Sequence, residues 1–252
     1  MQLDFDNYYT RDMNMAYMSV SQFKAFQACE SAALAELTGQ YRTEPTGAML
    51  VGSYVDAHFS GEMDTFKTTH PELFKKDGSL KSEFVQADSI IARIERDDMM
   101  RTYLAGQHQV VMTGLIADIP FKIRIDSYHA DKVIVDLKVM RDFKPIWKHG
   151  TRMHWIEAWG YDIQGAVYQA VEGHSLPFII AAASKEDTTD ISLLGISDHH
   201  LSDCLHTVKA LAPRFDQIKK GLVEPTRCET CAWCRQTKII TSVLDYTMED
   251  YE

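Results

Sequence analysis

The stretch from Asp126 to Lys138 constrains the fold of this chain more than any other, because two acids and a lysine follow one another along neighbouring predicted strands. Period-2 alternation predicts one strand over 120–128 and another over 132–140, with a three-residue turn between them. Side chains two residues apart in a strand share one face of the sheet. We therefore expect the aliphatic side chains to enter a core and Asp126, Asp136 and Lys138 to project together from the other face.

Two carboxylates and an amine at this spacing are the groups that metal-dependent hydrolysis of a phosphodiester requires. Asp126 and Asp136 would bind a divalent ion, for which carboxylate oxygens are preferred ligands in proteins. Lys138 would orient the attacking water or stabilise the charge that develops on the phosphate. Acids and lysines are also common on solvated strands, so the spacing alone fits an ordinary strand face as well.

The remaining patterns predict helices around this sheet. Helical spacing of apolar residues predicts a helix that is capped by Ser19 or Ser21, contains Cys29 and runs to about Leu37, and Gly39 is typical of its end. Further helices are predicted over 48–59, 83–104, 153–172 and 199–220, and further strands over 109–116, 176–183 and 190–196. This order, with an antiparallel meander in the middle, predicts a mixed α/β fold with helices around a central sheet.

Length and charge limit the organisation and the partners. The 252 residues fit one domain over 1–252, with an irregular N-terminal arm over 1–18 and a cysteine-rich C-terminal segment over 225–240. No apolar run reaches about 18 residues and the first residues do not resemble a signal peptide, so we expect a cytoplasmic protein without a membrane segment. The net charge of −10 argues against broad attraction to nucleic acid, so DNA binding would need local basic groups or metal ions held by acids.

The cysteines indicate a metal site. Cys228, Cys231 and Cys234 lie within seven residues, and the total of five cysteines fits a metal or cluster site in a reducing compartment better than a disulfide framework. Cys204 lies in the last predicted long helix, and we expect it to be simply a buried thiol.

With these residues in order, the sequence resembles the PD-(D/E)-x-K nucleases, with Asp126 as the first acid, Asp136 as the second and Lys138 as the lysine. The further motifs resemble the RecB-like branch, which includes the RecE-type (exodeoxyribonuclease VIII-like) exonucleases of phages and prophages. The resemblance implies a restriction-endonuclease-like core, in which a central mixed sheet with an antiparallel meander is flanked by helices.

Two helical motifs carry the resemblance to that branch. Gln164 and Tyr168, which lie four residues apart on one helical face, are similar to its Gln-x3-Tyr motif and would contact DNA or support the site. Gly52 to Asp56 is similar to its Gly-x3-His motif, but Asp56 stands where the family has a metal-binding histidine. The resemblance implies a metal site formed by Asp56, Asp126, Asp136 and the backbone carbonyl of Leu137. His58 is the alternative helix ligand, although it lies about 200° around the helix from Asp56.

The cysteine order is similar to that of RecB-like relatives with an iron–sulfur cluster. In those relatives one cysteine precedes the nuclease core and three follow it, as Cys29 precedes and Cys228, Cys231 and Cys234 follow here. The resemblance implies a [4Fe-4S] cluster held by these four residues. A four-cysteine zinc site and four free thiols remain alternatives.

A basic stretch just after the third strand is a candidate DNA-binding segment. Its cationic residues are interleaved with Phe143 and Trp147 and would contact the DNA backbone: Arg141, Lys144, Lys148 and Arg152. A solvated loop is the alternative interpretation.

Together, the resemblance implies a Mg²⁺- or Mn²⁺-dependent exonuclease acting on linear, duplex DNA in phage-type recombination. A single-strand annealing protein would be a partner, a homo-oligomer is possible by analogy with relatives, and the location would be bacterial or phage-infected host cytoplasm. Two alternatives come from other classes: a non-catalytic DNA-binding or assembly module with the same fold, and a zinc-binding interaction protein.

Overall fold

The computed structural model describes residues 3–43, 46–148 and 150–241. Three strands form the predicted antiparallel meander: β1 (Gln107–Ile116), β2 (Ile119–His129) and β3 (Val133–Met140). After a separate two-stranded hairpin, β4 (Ile146–Lys148) and β5 (Thr151–Met153), the main sheet continues with β6 (Phe178–Ser184) and β7 (Ile191–Ile196). The sheet order is β1-β2-β3-β6-β7, with β6 parallel to β3 and β7 antiparallel to β6.

Helices surround this sheet, so the predicted mixed α/β class is confirmed. Before the sheet come α1 (Arg11–Ala16), α2 (Val20–Ala28), α3 (Glu30–Thr38), α4 (Gly47–Phe59), α5 (Met63–Thr69), the 3₁₀ turn Pro71–Leu73, α6 (Ser82–Glu95) and α7 (Asp98–Leu104). After the meander come α8 (Trp155–Ala158), α9 (Tyr161–Glu172), α10 (Asp198–Lys219) and α11 (Ala232–Gln236). Within the described ranges, no helix has the length and apolarity needed to cross a membrane.

Both faces of the sheet carry an apolar cluster. Phe121 and Ile123 of β2 belong to the first apolar cluster, which also takes side chains from α2, α9 and α10. Val135 and Leu137 of β3 belong to the second apolar cluster, with side chains from α4 and α6. The expectation of one aliphatic face and one polar face was therefore wrong, because a sheet with helices on both sides buries apolar residues on both.

Three predicted helices are each divided in two. Ser19 caps α2 through the Gln22 amide at 3.3 Å, and Gly39 ends α3 in a left-handed conformation, both as predicted. Between α2 and α3, however, Cys29 is extended, with φ −165° and ψ 110°, so it lies at a helix break and not inside a helix. The other breaks are at Asp97, whose side chain caps α7, and at Gly160, whose φ is 62°.

The predicted N-terminal arm contains a helix and packs on the sheet. Met18 pairs with β2 through hydrogen bonds of 2.8 Å to Pro120 and 2.9 Å from Lys122. The fully buried Lys122 donates to the Tyr8 carbonyl and, at 2.7 Å, to Asn14. These contacts make the described part of the arm an integral layer of the fold; residues 1 and 2 lie outside the described ranges.

Candidate active site

The predicted acids meet where β2 and β3 separate. The ladder between these strands consists of three residue pairs and ends at Ser127 and Val135. One residue further along, the Asp126 side chain takes over the role of the ladder, because its Oδ2 accepts a hydrogen bond of 3.0 Å from the Leu137 amide. The carboxylate therefore lies in the opening between the two strands, next to Asp136.

Asp136 is the most deeply buried acid of the site, with only 1% of its surface exposed. Its Oδ1 accepts a hydrogen bond of 2.6 Å from Gln164 Nε2. Its Oδ2 forms an ion pair with the Lys138 ammonium and has no other polar partner among the described residues. A hard divalent ion is a suitable second partner for a carboxylate oxygen of this kind.

Burial and mutual repulsion shape the protonation of the acids. Burial, followed by the charges of Asp136 and Asp56, holds the pKa of Asp126 well above its usual value. Burial and the charge of Asp136 also raise the pKa of Asp56, against a lowering by Arg124. Burial lowers the pKa of Lys138, but the charges of Asp136 and Asp126 outweigh it and raise that pKa overall. A divalent ion would relieve this crowding, so an all-oxygen site for Mg²⁺ or Mn²⁺ fits the residues present.

Asp56 lies with these acids, whereas His58 does not. The Asp56 carboxylate contacts Gln109 Nε2 at 3.3 and 3.4 Å, and Gln109 has φ 53°, an unusual backbone conformation for a residue other than glycine. His58 instead contacts Glu95 at 2.8 Å. No sequence pattern pointed to Gln109, because a glutamine in a strand belongs to no recognisable motif.

Gln164 and Tyr168 face the sheet from one side of α9. Only 9% of Gln164 and 8% of Tyr168 is exposed, and the Tyr168 hydroxyl donates a hydrogen bond of 2.8 Å to the Arg124 carbonyl. Gln164 therefore holds Asp136, and Tyr168 holds the β2 backbone two residues before Asp126. Among the two predicted roles, this placement favours support of the site over contact with DNA.

Several groups at the site were not predicted. Tyr9 is 66% exposed and its ring lies 4.9 Å from the Arg124 guanidinium, which lines the same pocket as Asp126 and Asp136. Lys24 joins the pocket from α2, and burial together with the charge of Lys138 lowers its pKa to about 8. These residues come from distant parts of the chain, and only the fold brings them together.

The four predicted cysteines form a second group. Cys29 at the helix break meets Cys234 with a sulfur–sulfur distance of 3.6 Å, and Cys228 lies 4.0 Å from Cys234. With Cys231, all four sulfur atoms lie within 4.8 Å of one another. Hydrogen bonds from the Thr230 and Cys231 amides lower the pKa of Cys228 to about 6, which favours the thiolate that binds metals.

The basic stretch after β3 includes the hairpin of β4 and β5, where the sequence suggested a loop. Arg141 contacts Asp142 at 2.8 Å, Lys144 contacts Glu186 at 3.5 Å, and Lys148 donates to the Ala158 carbonyl at 2.7 Å. Arg152 pairs with Trp147 across the hairpin, and Trp147 is 73% exposed. The hairpin thus presents exposed cationic and aromatic side chains.

The comparisons with known proteins agree with this fold. Residues 19–237 match the family described as a PDDEXK-like domain of unknown function (DUF3799). The crystal structure of a protein from Eubacterium rectale, named as a candidate exonuclease, superimposes with a TM-score of 0.92 at 43% identity, covering 97% of this chain and 97% of that chain. A structure of SSO0001 gives a TM-score of 0.30 at 10% identity over 77% of this chain and 86% of that chain. This similarity is too low to support a conclusion. No curated protein matches the chain in sequence.

Proposed function

This chain belongs to the family of PDDEXK-like domains, and from that premise we propose that it is a metal-dependent nuclease that degrades linear DNA from its ends. The observation that carries the proposal is the convergence of Asp126, Asp136 and Lys138 on one pocket, where the buried Asp136 is paired with Lys138. The name of the Eubacterium rectale protein and the RecE-type motifs support the exonuclease mode.

Each side chain has a distinct part in the proposed reaction. Asp56, Asp126 and Asp136 would hold Mg²⁺ or Mn²⁺, with the Leu137 carbonyl as a further ligand. The bound ion supplies Lewis acidity and a water that is more readily deprotonated. Lys138, whose charge is secured by the two neighbouring acids, would orient the water and stabilise the charge on the phosphate. Gln164 would keep Asp136 in place.

The finer parts of the proposal follow from the same motifs. The substrate would be linear duplex DNA, resected in the cytoplasm to expose a strand for a single-strand annealing partner in phage-type recombination. The basic residues Arg141 and Lys144, just before the hairpin of β4 and β5, and Lys148 and Arg152 within it would contact the DNA backbone, as their exposure and charge suggest. A homo-oligomer would be compatible with this role.

The test compares digestion of end-labelled linear duplex and closed circular duplex in the presence of Mg²⁺ or Mn²⁺. We expect the wild type to degrade only the linear form and Asp136→Asn to lose at least about 100-fold in rate, since the metal site loses a charge. Asp131→Asn is the matched control, because Asp131 lies in the turn between β2 and β3. Its φ of 61° is a backbone conformation that asparagine tolerates.

Circular DNA cut as fast as linear DNA would contradict the end-directed mode. If the wild type leaves every DNA intact and shows no Mn²⁺ site that depends on Asp126 and Asp136, the nuclease proposal is wrong and the non-catalytic DNA-binding module is the better description.

The four-cysteine group is proposed to hold a metal centre that fastens the C-terminal segment to α3. The order of one cysteine before and three after the core favours a [4Fe-4S] cluster. The sulfur distances of 3.6 and 4.0 Å favour one tetrahedral ion instead, because Zn–S bonds of about 2.3 Å place thiolates roughly 3.8 Å apart.

The colour and metal content of protein purified without oxygen distinguish the two centres. A [4Fe-4S] protein would be brown with about four irons per site, and a zinc protein would be colourless. Cys231→Ser would lose either metal.

A further inference from the structure

Three metal-binding side chains meet between α9 and α10, away from the two groups described above. Asp162 stands in the first turn of α9, and its Oδ2 lies 3.0 Å from His200 Nε2. Cys204 follows His200 by one turn of α10, so both side chains project toward the same carboxylate. One ligand atom from each of the three residues lies within 4.8 Å of the other two.

The buried carboxylate of Asp162 brings the three side chains together. Asp162 is 7% exposed, and its other oxygen accepts a hydrogen bond of 2.8 Å from the Ile163 amide. The half-buried Cys204 thiol contacts the same carboxylate. A thiol is only a weak hydrogen-bond donor, so a metal ion could replace this contact at little cost.

We propose that Asp162, His200 and Cys204 form a further metal site, which takes a divalent ion of the zinc class. Imidazole nitrogen, thiolate sulfur and carboxylate oxygen are the three ligand types of protein-bound zinc, whereas Mg²⁺ prefers oxygen ligands alone. The fourth position is open to water, because 41% of the His200 side chain is exposed. This metal site would exist whether or not the protein is a nuclease.

The position of the site couples it to α9. Asp162 lies two residues before Gln164, which points to the other side of the helix and holds Asp136. A metal shared with α10 would fix the first turn of α9 and, through it, the register of Gln164. Its expected effect is therefore on the stability of α9 rather than on chemistry.

The first test counts zinc by native mass spectrometry in excess Mg²⁺, which keeps the oxygen-only active site occupied. We expect His200→Ala and Cys204→Ala each to bind one zinc fewer than the wild type. His199→Ala is the matched control, since His199 is the neighbouring histidine on α10, with 91% of its side chain exposed and Asp203 as its partner at 3.8 Å. An unchanged zinc count in both site variants would overturn the proposal.

The second test needs no variant and therefore remains decisive if the variants do not fold. Wild-type protein is alkylated with and without Zn²⁺, and the labelled peptides are resolved so that Cys204 is read apart from the four-cysteine group. We expect Zn²⁺ to slow alkylation of Cys204 at least tenfold. Equal rates at Cys204 with and without Zn²⁺ would also rule the site out.

Discussion

Asp136 shows how a single residue indicates what the site is built to hold. An acid with 1% exposure normally has every oxygen hydrogen-bonded, yet here Gln164 serves only Oδ1. Oδ2 is paired with the Lys138 ammonium and has no other polar partner among the described residues, and Asp136 lines the same pocket as Asp126. The two neighbouring acids make this pocket a suitable place for a cation.

Gln164 offers the most direct test of how Asp136 is oriented. Gln164→Ala removes the 2.6 Å hydrogen bond to Oδ1, and we expect a loss of about 10- to 100-fold in activity or Mn²⁺ affinity, as for other partners of metal ligands. Calorimetric Mn²⁺ titration and the linear-DNA assay measure the two effects. Gln169→Ala is the control on the same helix, because Gln169 contacts Leu176 and Asp198 and not the acids. Equal losses in both variants would mean that Gln164 only supports the fold.

Asp126 should make the metal-free protein less stable as the pH rises. Folding raises the pKa of Asp126, so the folded state holds the proton more tightly than the unfolded chain does. The contribution of Asp126 to stability is therefore most favourable below its unfolded pKa of about 3.9. This contribution falls as the pH rises toward the pKa of Asp126 in the folded state. Asp126→Asn removes this cost, and a gain of about 1 kcal/mol would raise the melting temperature at pH 7 by roughly 2–4 °C.

The corresponding measurement is a melting curve from pH 5 to 8 with and without Mg²⁺. We expect Mg²⁺ to stabilise the wild type more at pH 8 than at pH 5, and to leave Asp126→Asn nearly unchanged. Asp187→Asn, which replaces an exposed acid, should behave like the wild type. A lower melting temperature for metal-free Asp126→Asn at pH 7 would contradict the account.

At this scale, the sequence could predict only the residues that a local pattern connects. Asp136 and Lys138 share a strand face, and Gln164 and Tyr168 share a helix face, so spacing alone suggested each pair. Lys24, Gln109 and Arg124 come from three separate elements and Tyr9 from the turn before α1, and no short-range pattern relates them. Their positions depend on how the elements pack, which single-sequence periodicity does not contain.

The hairpin of β4 and β5, together with the residues just before it, is the segment best placed to bind the DNA backbone. Lys144 is 74% exposed and its pairing with Glu186 at 3.5 Å is weak, so it can turn to a phosphate. We expect Lys144→Ala combined with Arg152→Ala to weaken DNA binding and to reduce the slope of log affinity against log salt by roughly two. The measurement uses the Asp136→Asn background, in which the DNA stays intact.

The control for this prediction is the exposed pair Lys75→Ala and Lys76→Ala in the turn before α6. It changes the net charge by the same amount but lies outside the hairpin. An equal change of slope in the two double variants would show that the effect comes from overall charge and not from the hairpin.

The breaks between helices could not be predicted from the sequence pattern. The apolar spacing from Ser19 to Leu37 continues through Cys29 without a glycine or proline, so one helix was the natural prediction. The extended backbone at Cys29 is explained by tertiary contacts, because it brings the sulfur to Cys234. Glu30, the next residue, is fixed by two hydrogen bonds of 2.7 Å from Arg214. Such contacts override local helix propensity.

For the whole molecule, one sheet separates and connects the two apolar clusters. Residues of β3 and β6 alternate between the clusters, as Ile134 and Val135 do. Loss of either cluster would expose the opposite face of the same strands to water. We therefore expect a single unfolding transition, in which far-ultraviolet circular dichroism, tryptophan fluorescence and calorimetry give one midpoint. Two separated midpoints would show that the clusters unfold independently.

The overall architecture was more predictable than its details, for a physical reason. The strands of the meander are long and strongly alternating, and their connections are short, so their neighbours in the sheet follow from the sequence. The parallel pairing of β3 with β6 joins residues about 40 positions apart, such as Lys138 and Ala182. The family resemblance implied a mixed sheet, but no local pattern predicted which strands would pair in parallel.

The four-cysteine group also sets an order of events during protein synthesis. Cys29 emerges from the ribosome early, but its three partners follow about 200 residues later, roughly 10–40 s at 5–20 residues per second. The acids of the active site are all made before those partners. Metal binding by these sulfurs would therefore be the last stabilising interaction of the fold to form. Until then, the Cys29 thiol lacks its partners and can be oxidised. Expression in an oxidising compartment should accordingly lower the yield of folded protein.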